Sequence, residues 1–243
     1  MNYGDSVGQR IRLGRVGPKI GHALRSLAAP FVASRTRLSG ATFELWGRTY
    51  GYLSHPHNVT YRNERAVEIP VATDFLRRHD GRCLEFGHVL SHYGEVRQRE
   101  IVDKYERADG VHCVDILEYA PSALFDCVVS VSTLEHVGRD EPIREPHRAI
   151  LALDRLLSLL APGGRLLVTA SLGHNRELDA AIIGGHWVPE RQASMIRVGR
   201  RHRNRWVAEA SLRVKPYFGR ADRGADAIWI AEFVNDDLAV LRH

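Results

Sequence analysis

The chain has 243 residues, of which 44% are hydrophobic and 26% charged, with a formal net charge of +5. That length buries a sizeable core without staples, and the three cysteines, Cys83, Cys113 and Cys127, form neither a Cys-x-x-Cys pair nor a metal-ligand spacing, which excludes a disulfide-framed or zinc-knuckle chain. No apolar run approaches the roughly 20 residues of a spanning helix and no signal-peptide pattern opens the chain, so a soluble, cytoplasmic protein with no membrane partner is expected.

Residues 1–65 are rich in Gly, Arg and Ser and hold an aromatic cluster of Phe43, Trp46, Tyr50, Tyr52 and Tyr61. They read as an N-terminal appendage or lid, with a weakly amphipathic stretch at 20–33 whose His22 to Leu27 part reads as a short helix packed on the body, the alternative being a membrane-surface or dimer contact. From Ala66 onward, short apolar runs alternate with helical or loop segments, the signature of βαβ units around a mostly parallel sheet. Residues 66–243 are therefore expected to form one doubly wound α/β domain. Strands are expected at 82–86, 100–102, 111–114, 125–131 and 165–170, most of them Val, Leu, Ile and Cys without alternation, as strands covered on both faces must be. The cysteines fall in these runs and read as buried, reduced thiols.

The segment 150–160 sets Ile150, Leu153, Leu157 and Leu160 on one helical face before Pro162-Gly163-Gly164 stops it. Near the end, 206–214 and 227–233 are strand-like with no helix between them, which predicts an antiparallel hairpin closing the sheet edge.

Four features fall in order at the carboxyl ends of the first four strands, where doubly wound sheets bind ligands. Glu85-Phe86-Gly87 puts an acid two positions before a glycine, which admits a ligand close to the backbone. Asp103 follows Glu85 by 18 residues, near the spacing at which an acid reaches a ribose diol. Asp115-Ile116 offers a carboxylate beside an apolar side chain, suited to an adenine amino group and ring face. Ser132-Thr133-Leu134-Glu135-His136-Val137 places polar groups at the reaction end. No Gly-x-Gly-x-x-Gly follows the first strand, which removes the main evidence for a nicotinamide or flavin site.

At these residues, over roughly 66–234, the chain resembles the class I S-adenosylmethionine-dependent methyltransferases. The resemblance implies a Rossmann-like seven-stranded sheet with an antiparallel C-terminal hairpin, and S-adenosylmethionine as cofactor. It implies that Glu85 and Gly87 contact the methionine part, Asp103 the ribose, and Asp115 with Ile116 the adenine. The stretch 126–137 is similar to the family's fourth motif with its frequent Glu-His pair, and Ser132 within it joins the cofactor set. The run Leu160 to Leu166 looks like the family's entry to its fifth strand. One departure stands out: the family's first glycine is followed by further glycines, whereas Gly87 precedes His88, Val89, Leu90, Ser91, His92 and Tyr93. That variant, with Val102-Asp103-Lys104-Tyr105-Glu106, resembles a methyltransferase-like subgroup associated with glycan and natural-product biosynthesis.

The expected activity is methyl transfer to a small-molecule acceptor, a hydroxyl of a sugar or natural product, driven by proximity and orientation. His174, on the loop after the fifth strand, and His136 are the candidate bases; the structural alternative for His136 and Glu135 is packing and hydrogen bonding at a helix start. His88 and His92 have the spacing of a metal pair but no carboxylate partner, so loop contacts are expected and no metal is assigned. The basic run 197–205, with Arg200, Arg201, Arg203 and Arg205, is a solvated loop or a grip for a phosphorylated substrate. Only Lys19, Lys104 and Lys215 are lysines, an arginine bias that GC-rich coding produces, so no nucleic-acid partner is expected from charge alone. The alternatives are an RNA methyltransferase using the basic run, or a catalytically silent methyltransferase-like binding protein; a homo-oligomer is left open.

Overall fold

The computed structural model describes Leu38 and residues 40–95, 97–198, 204–209 and 225–236. In chain order it contains β1 (Thr42–Leu45), β2 (Arg48–Gly51), α1 (Arg65–Arg78), β3 (Cys83–Phe86), β4 (Glu100–Val102), β5 (Val111–His112), β6 (Phe125–Val131), α2 (Arg148–Ser158), β7 (Leu160–Ser171), α3 (Arg176–Ile183), β8 (Arg191–Val198), β9 (Arg205–Glu209) and β10 (Ala227–Val234). β1 and β2 form a separate hairpin, and the other strands form one sheet in the order β5-β4-β3-β6-β7-β10-β8-β9. The pairs from β5 through β7 are parallel, and β7-β10, β10-β8 and β8-β9 are antiparallel. This is a doubly wound α/β fold with an antiparallel C-terminal end.

The sheet is covered on both faces, which is why β3 reads Cys-Leu-Glu-Phe with every residue buried. On one face α2 and α3 bring Ala149, Ala152, Leu153, Leu156, Leu178 and Ile182 against Leu84, Val128, Leu166 and Trp229. On the other, α1 brings Val67, Val71, Phe75 and Leu76, and the β1–β2 hairpin adds Phe43, Leu45 and Tyr50, against Cys127, Val129, Leu167 and Ile230. The aromatic cluster of the N-terminal segment is thus partly core: Phe43 stacks on Tyr50 at 5.4 Å and meets Tyr52 at 5.0 Å.

α1 contains Pro70, which cannot donate to the carbonyl of Ala66 one turn earlier. The amide of Leu53 donates to that carbonyl instead, at 2.9 Å, and ties the chain ahead of the helix to it. The strand order reverses between β3 and β6, because the chain leaves β3 toward β4 and β5 and then returns to β3's other edge. That reversal is the switch point at which such sheets open a crevice beyond their strand ends.

Several expectations are corrected. The sheet has eight strands among the described residues rather than seven, because β9 adds at the far edge. The C-terminal hairpin pairs β9 with β8, not with β10; β10 enters between β7 and β8. β8 escaped notice because Gln192, Ser194 and Arg197 interrupt its apolar pattern, yet Ser194 and Arg197 are buried. The second helix spans Arg148–Ser158, and its inward face is Ala149, Ala152, Leu153 and Leu156, so only Leu153 of the expected stripe is shared. Its two alanines let the helix lie close on the sheet. β5 stops at His112, which leaves Cys113 exposed rather than buried, while Cys83 and Cys127 are buried opposite each other on β3 and β6.

Arg197 is not solvated. It is 6% exposed and donates to the carbonyls of Arg62 (2.7 Å) and Ala225 (2.5 Å from Nη2) and to Asn204 Oδ1 (2.9 Å). The stretch 20–33, Arg200, Arg201, Arg203 and the 210–214 part of the predicted strand lie outside the described residues. No helix among the described residues is long and apolar enough to cross a membrane.

Candidate functional site

A cleft of about 390 Å³ opens beyond the carboxyl ends of β3, β4, β5 and β6, at the switch point. Asp103, Asp115, Ile116, Ser132 and His136 line it, with Phe86, Lys104, Thr133, Val137, Asp140, Glu141 and Arg65. Its size falls in the usual range for small-molecule sites.

Asp103 sits just past β4. Its Oδ1 accepts from the amides of Tyr105 and Glu106, both at 2.9 Å, and its Oδ2 from the amide of His88 at 3.3 Å. One carboxylate thus pins the loops after β3 and β4 to each other. Asp115 follows β5 and is 8% exposed; its Oδ1 accepts from the Leu117 amide at 3.0 Å, and its Oδ2 lies 3.0 Å from Lys104 and 2.6 Å from Arg148. Burial, the largest influence on Asp115, pushes its carboxyl up, but the Leu117 amide and the Lys104 and Arg148 cations together hold it below the usual range. Lys104 also reaches Glu141 at 2.7 Å. Burial works against its charge, yet the two carboxylates raise its pKa well above the ordinary value. Ile116 is 1% exposed and forms an apolar wall with Phe86.

Ser132 ends β6 with φ 41°, a backbone conformation that strains a side-chain-bearing residue. It is held there by its amide, which donates to the Thr169 carbonyl at 3.0 Å, and by its hydroxyl, which donates to Glu68 at 2.5 Å. Glu68 is fully buried on α1. It accepts from Thr169 as well, at 2.8 Å, and its second oxygen lies 3.4 Å from Arg65. Burial pushes Glu68 up to about 7, against the pull of Arg65.

Glu85 and Gly87 do not line the cleft; they build the loop beneath it. Glu85 is fully buried, with Oε1 accepting from the amides of Val89 (2.8 Å) and Leu90 (2.7 Å) and Oε2 paired with Arg99 at 2.5 Å. Gly87 has φ 89° and packs directly on the Thr133 side chain. His92 stacks on His57 with ring centroids 4.6 Å apart and meets His88 at a tilt, 4.8 Å away.

At the rim, His136 Nδ1 lies 2.6 Å from Asp140 Oδ2, and His174 Nε2, from the loop after β7, lies 3.2 Å from the same oxygen. The two rings are 4.5 Å apart. Burial lowers the His174 pKa, and the neighbouring His136 charge lowers it further. Arg139 Nη1 approaches both partners, at 3.2 Å from Asp140 Oδ1 and 3.3 Å from His174 Nε2. Glu135 is buried behind them, accepting from the Ser171 amide at 2.9 Å.

Sequence reasoning missed Asp140, Lys104, Glu141, Arg148 and Glu68. Asp140 was within reach, since it follows His136 by four positions. The others join from separate elements, and no local spacing marks them.

Set beside solved structures, the fold is similar to N-methyltransferase NodS from Bradyrhizobium japonicum WM9 in complex with S-adenosyl-L-homocysteine. The identity is 16%, over 71% of this chain and 88% of that one, with a TM-score of 0.45. It is also similar to an rRNA methylase from Streptococcus thermophilus, at 12% identity over 69% and 96% of the two chains with a TM-score of 0.40. A third is the sugar N-methyltransferase KedS8 from Streptoalloteichus sp ATCC 53650, at 14% identity over 65% and 66% with a TM-score of 0.33. No protein-family model and no curated protein matches the chain.

Proposed function

We propose that this protein transfers a methyl group from S-adenosylmethionine to a small-molecule acceptor, a hydroxyl of a sugar or natural product. The observation that carries this is the convergence of Asp103, Asp115, Ile116 and Ser132 on one cleft, from the ends of β4, β5 and β6, in the order the resemblance implies.

The cleft fits a nucleoside. Three of the roughly four acceptor positions of the Asp103 carboxylate are taken by amides, which leaves one on Oδ2 for a ribose hydroxyl. Asp115 keeps an acceptor position on Oδ1 for an exocyclic amino group, and Ile116 and Phe86 supply the apolar walls an adenine ring needs. Glu85 and Gly87 shape the loop on which the rest of the cofactor lies. When bound, the cofactor supplies an electrophilic methyl carbon. His136 and His174, joined through Asp140 at the rim, handle the acceptor's proton. Arg197, the first arginine of the basic run, is tied into the protein and unavailable to phosphates, while Arg205 is exposed. In this reading residues 1–65 are an appendage to the domain that follows.

Thermal unfolding with S-adenosylmethionine, S-adenosylhomocysteine and NAD tests the cofactor. Ligand at a hundredfold its dissociation constant stabilises by about 2.7 kcal/mol, a midpoint rise of roughly 5 to 11 °C for a chain of this size. A rise with the two sulfur nucleosides alone, lost in Asp103→Ala, is expected. No rise with either leaves the silent binding protein as the better account.

A further inference from the structure

We infer that His136, Asp140 and His174 form a binding site for one divalent first-row transition metal, of the zinc and cobalt kind, at the acceptor end of the cleft. The inference deepens the methyltransferase reading and rests on it for the metal's purpose, though not for its existence.

The three donor atoms lie within 4.8 Å of one another and come from two loops, one following β6 and one following β7. Both imidazoles aim a ring nitrogen at one carboxylate oxygen, at 2.6 and 3.2 Å. With metal bonds of about 2.0–2.2 Å, tetrahedral donors stand about 3.4 Å apart, so the ligands need shifts of less than about 1 Å. His136 and Asp140 are about half exposed, which leaves them free to make that adjustment.

Hydrogen bonding alone does not satisfy this cluster. His174 Nε2 faces an acceptor, Asp140 Oδ2, and a donor, Arg139 Nη1, at 3.2 and 3.3 Å. If Nε2 carries the proton, it donates to Asp140 and turns an N–H toward the Arg139 guanidinium. If it does not, its lone pair accepts from Arg139 and opposes the carboxylate oxygen. A cation between the three donors resolves the conflict, because each then offers a lone pair to the same centre. Glu135, next to His136 in the chain and 1% exposed, keeps one carboxylate oxygen that has no hydrogen-bond partner.

Two nitrogens and one carboxylate oxygen select zinc, cobalt, iron or nickel over magnesium and calcium, which prefer all-oxygen shells. Three protein ligands leave a position open, as catalytic rather than structural sites do. Because His136 and Asp140 also line the cleft, that position faces the acceptor; with the metal bound the two imidazoles serve as ligands rather than as bases, and a hydroxyl held there is acidic enough to lose its proton to water. Arg139 is the rival cation for the same donors. It is 39% exposed and can swing aside.

The test is titration of the metal-free protein with Co²⁺, followed by visible absorption and by competition with a chromophoric chelator. One Co²⁺ per chain, a d–d spectrum of nitrogen and oxygen ligation, and a more than roughly 100-fold loss of affinity in each of His136→Ala, Asp140→Ala and His174→Ala support the site. Arg139→Gln tightens binding by removing the competing cation, and excess Mg²⁺ does not displace Co²⁺. Binding that survives all three alanine variants, or that is lost in His57→Ala, moves the metal to the other histidine cluster and overturns the inference. So does the absence of binding in a protein whose circular dichroism is native. A parallel thermal shift with S-adenosylhomocysteine keeps the two readings apart: a shift without Co²⁺ binding sinks only the metal, and Co²⁺ binding without a shift sinks only the cofactor.

Discussion

Gly87 and Thr133 approach so closely that the loop after β3 and the end of β6 leave no room for a methyl group: a Cβ on Gly87 would overlap the Thr133 hydroxyl. The residue also sits at φ 89°, which costs a side-chain-bearing residue about 1–3 kcal/mol. Gly87→Ala is therefore expected to lower stability by at least about 2 kcal/mol in urea unfolding. Adding Thr133→Ala removes the overlap but not the strain, so the pair should be measurably non-additive. Additive losses would show that the contact is slack.

Glu85 and Arg99 form an ion pair in which both side chains are at most 2% exposed. Removing one member of such a pair leaves an uncompensated buried charge, at about 3–5 kcal/mol. Glu85→Gln is expected to fall in that range and to loosen the Val89 and Leu90 amides, read as faster hydrogen exchange there. A loss below about 1 kcal/mol would mean that Arg99 reaches water once released.

Glu68 gives the stability a pH dependence. Its folded value, about 7, lies above the ordinary 4.5, so the folded state binds the proton more tightly. The site's contribution is full below about pH 4.5 and is lost as pH rises through 7. Glu68→Gln should therefore gain on the wild type, by on the order of 3 kcal/mol, between pH 4.5 and pH 8. A difference constant over that window would place the carboxylate in the charged state throughout.

The thiols divide by exposure. Cys113 is exposed, and Cys83 and Cys127 are buried between the sheet and α1. Ellman's reagent is expected to modify one thiol quickly in the native protein and all three after denaturation. Fast reaction of more than one would mean that β3 and β6 open locally.

Strands 100–102 and 125–131 were legible to the residue because Ile101, Val102 and the Cys127–Val131 stretch are buried and, Ser130 apart, apolar, with polar Glu100 and Asp126 confined to the strand starts. α1 was hidden by Pro70, whose consequence is met by a hydrogen bond from Leu53, far away in the local pattern. β8 was hidden by Arg197 and Ser194, polar groups whose burial depends on partners in other segments. At the site, the acids at strand ends showed through because topology puts chemistry there. Asp115's engagement with Lys104 and Arg148, and the meeting of His174 with Asp140, depend on loops folding back over the cleft, and no periodicity records that.

The placement of β10 bears on how the molecule is made. Ala227–Val234 comes last among the described strands, yet it bonds to β7 on one side and β8 on the other. Until β10 is in place, β7 and the β8–β9 pair have facing edges with no strand between them. Such open edges invite pairing with other nascent chains, and the contacts that seal them span long sequence distances. The two halves of the antiparallel end are therefore joined only through β10. Any opening that frees β10 exposes Trp229 together with two unpaired strand edges, the combination that favours aggregation.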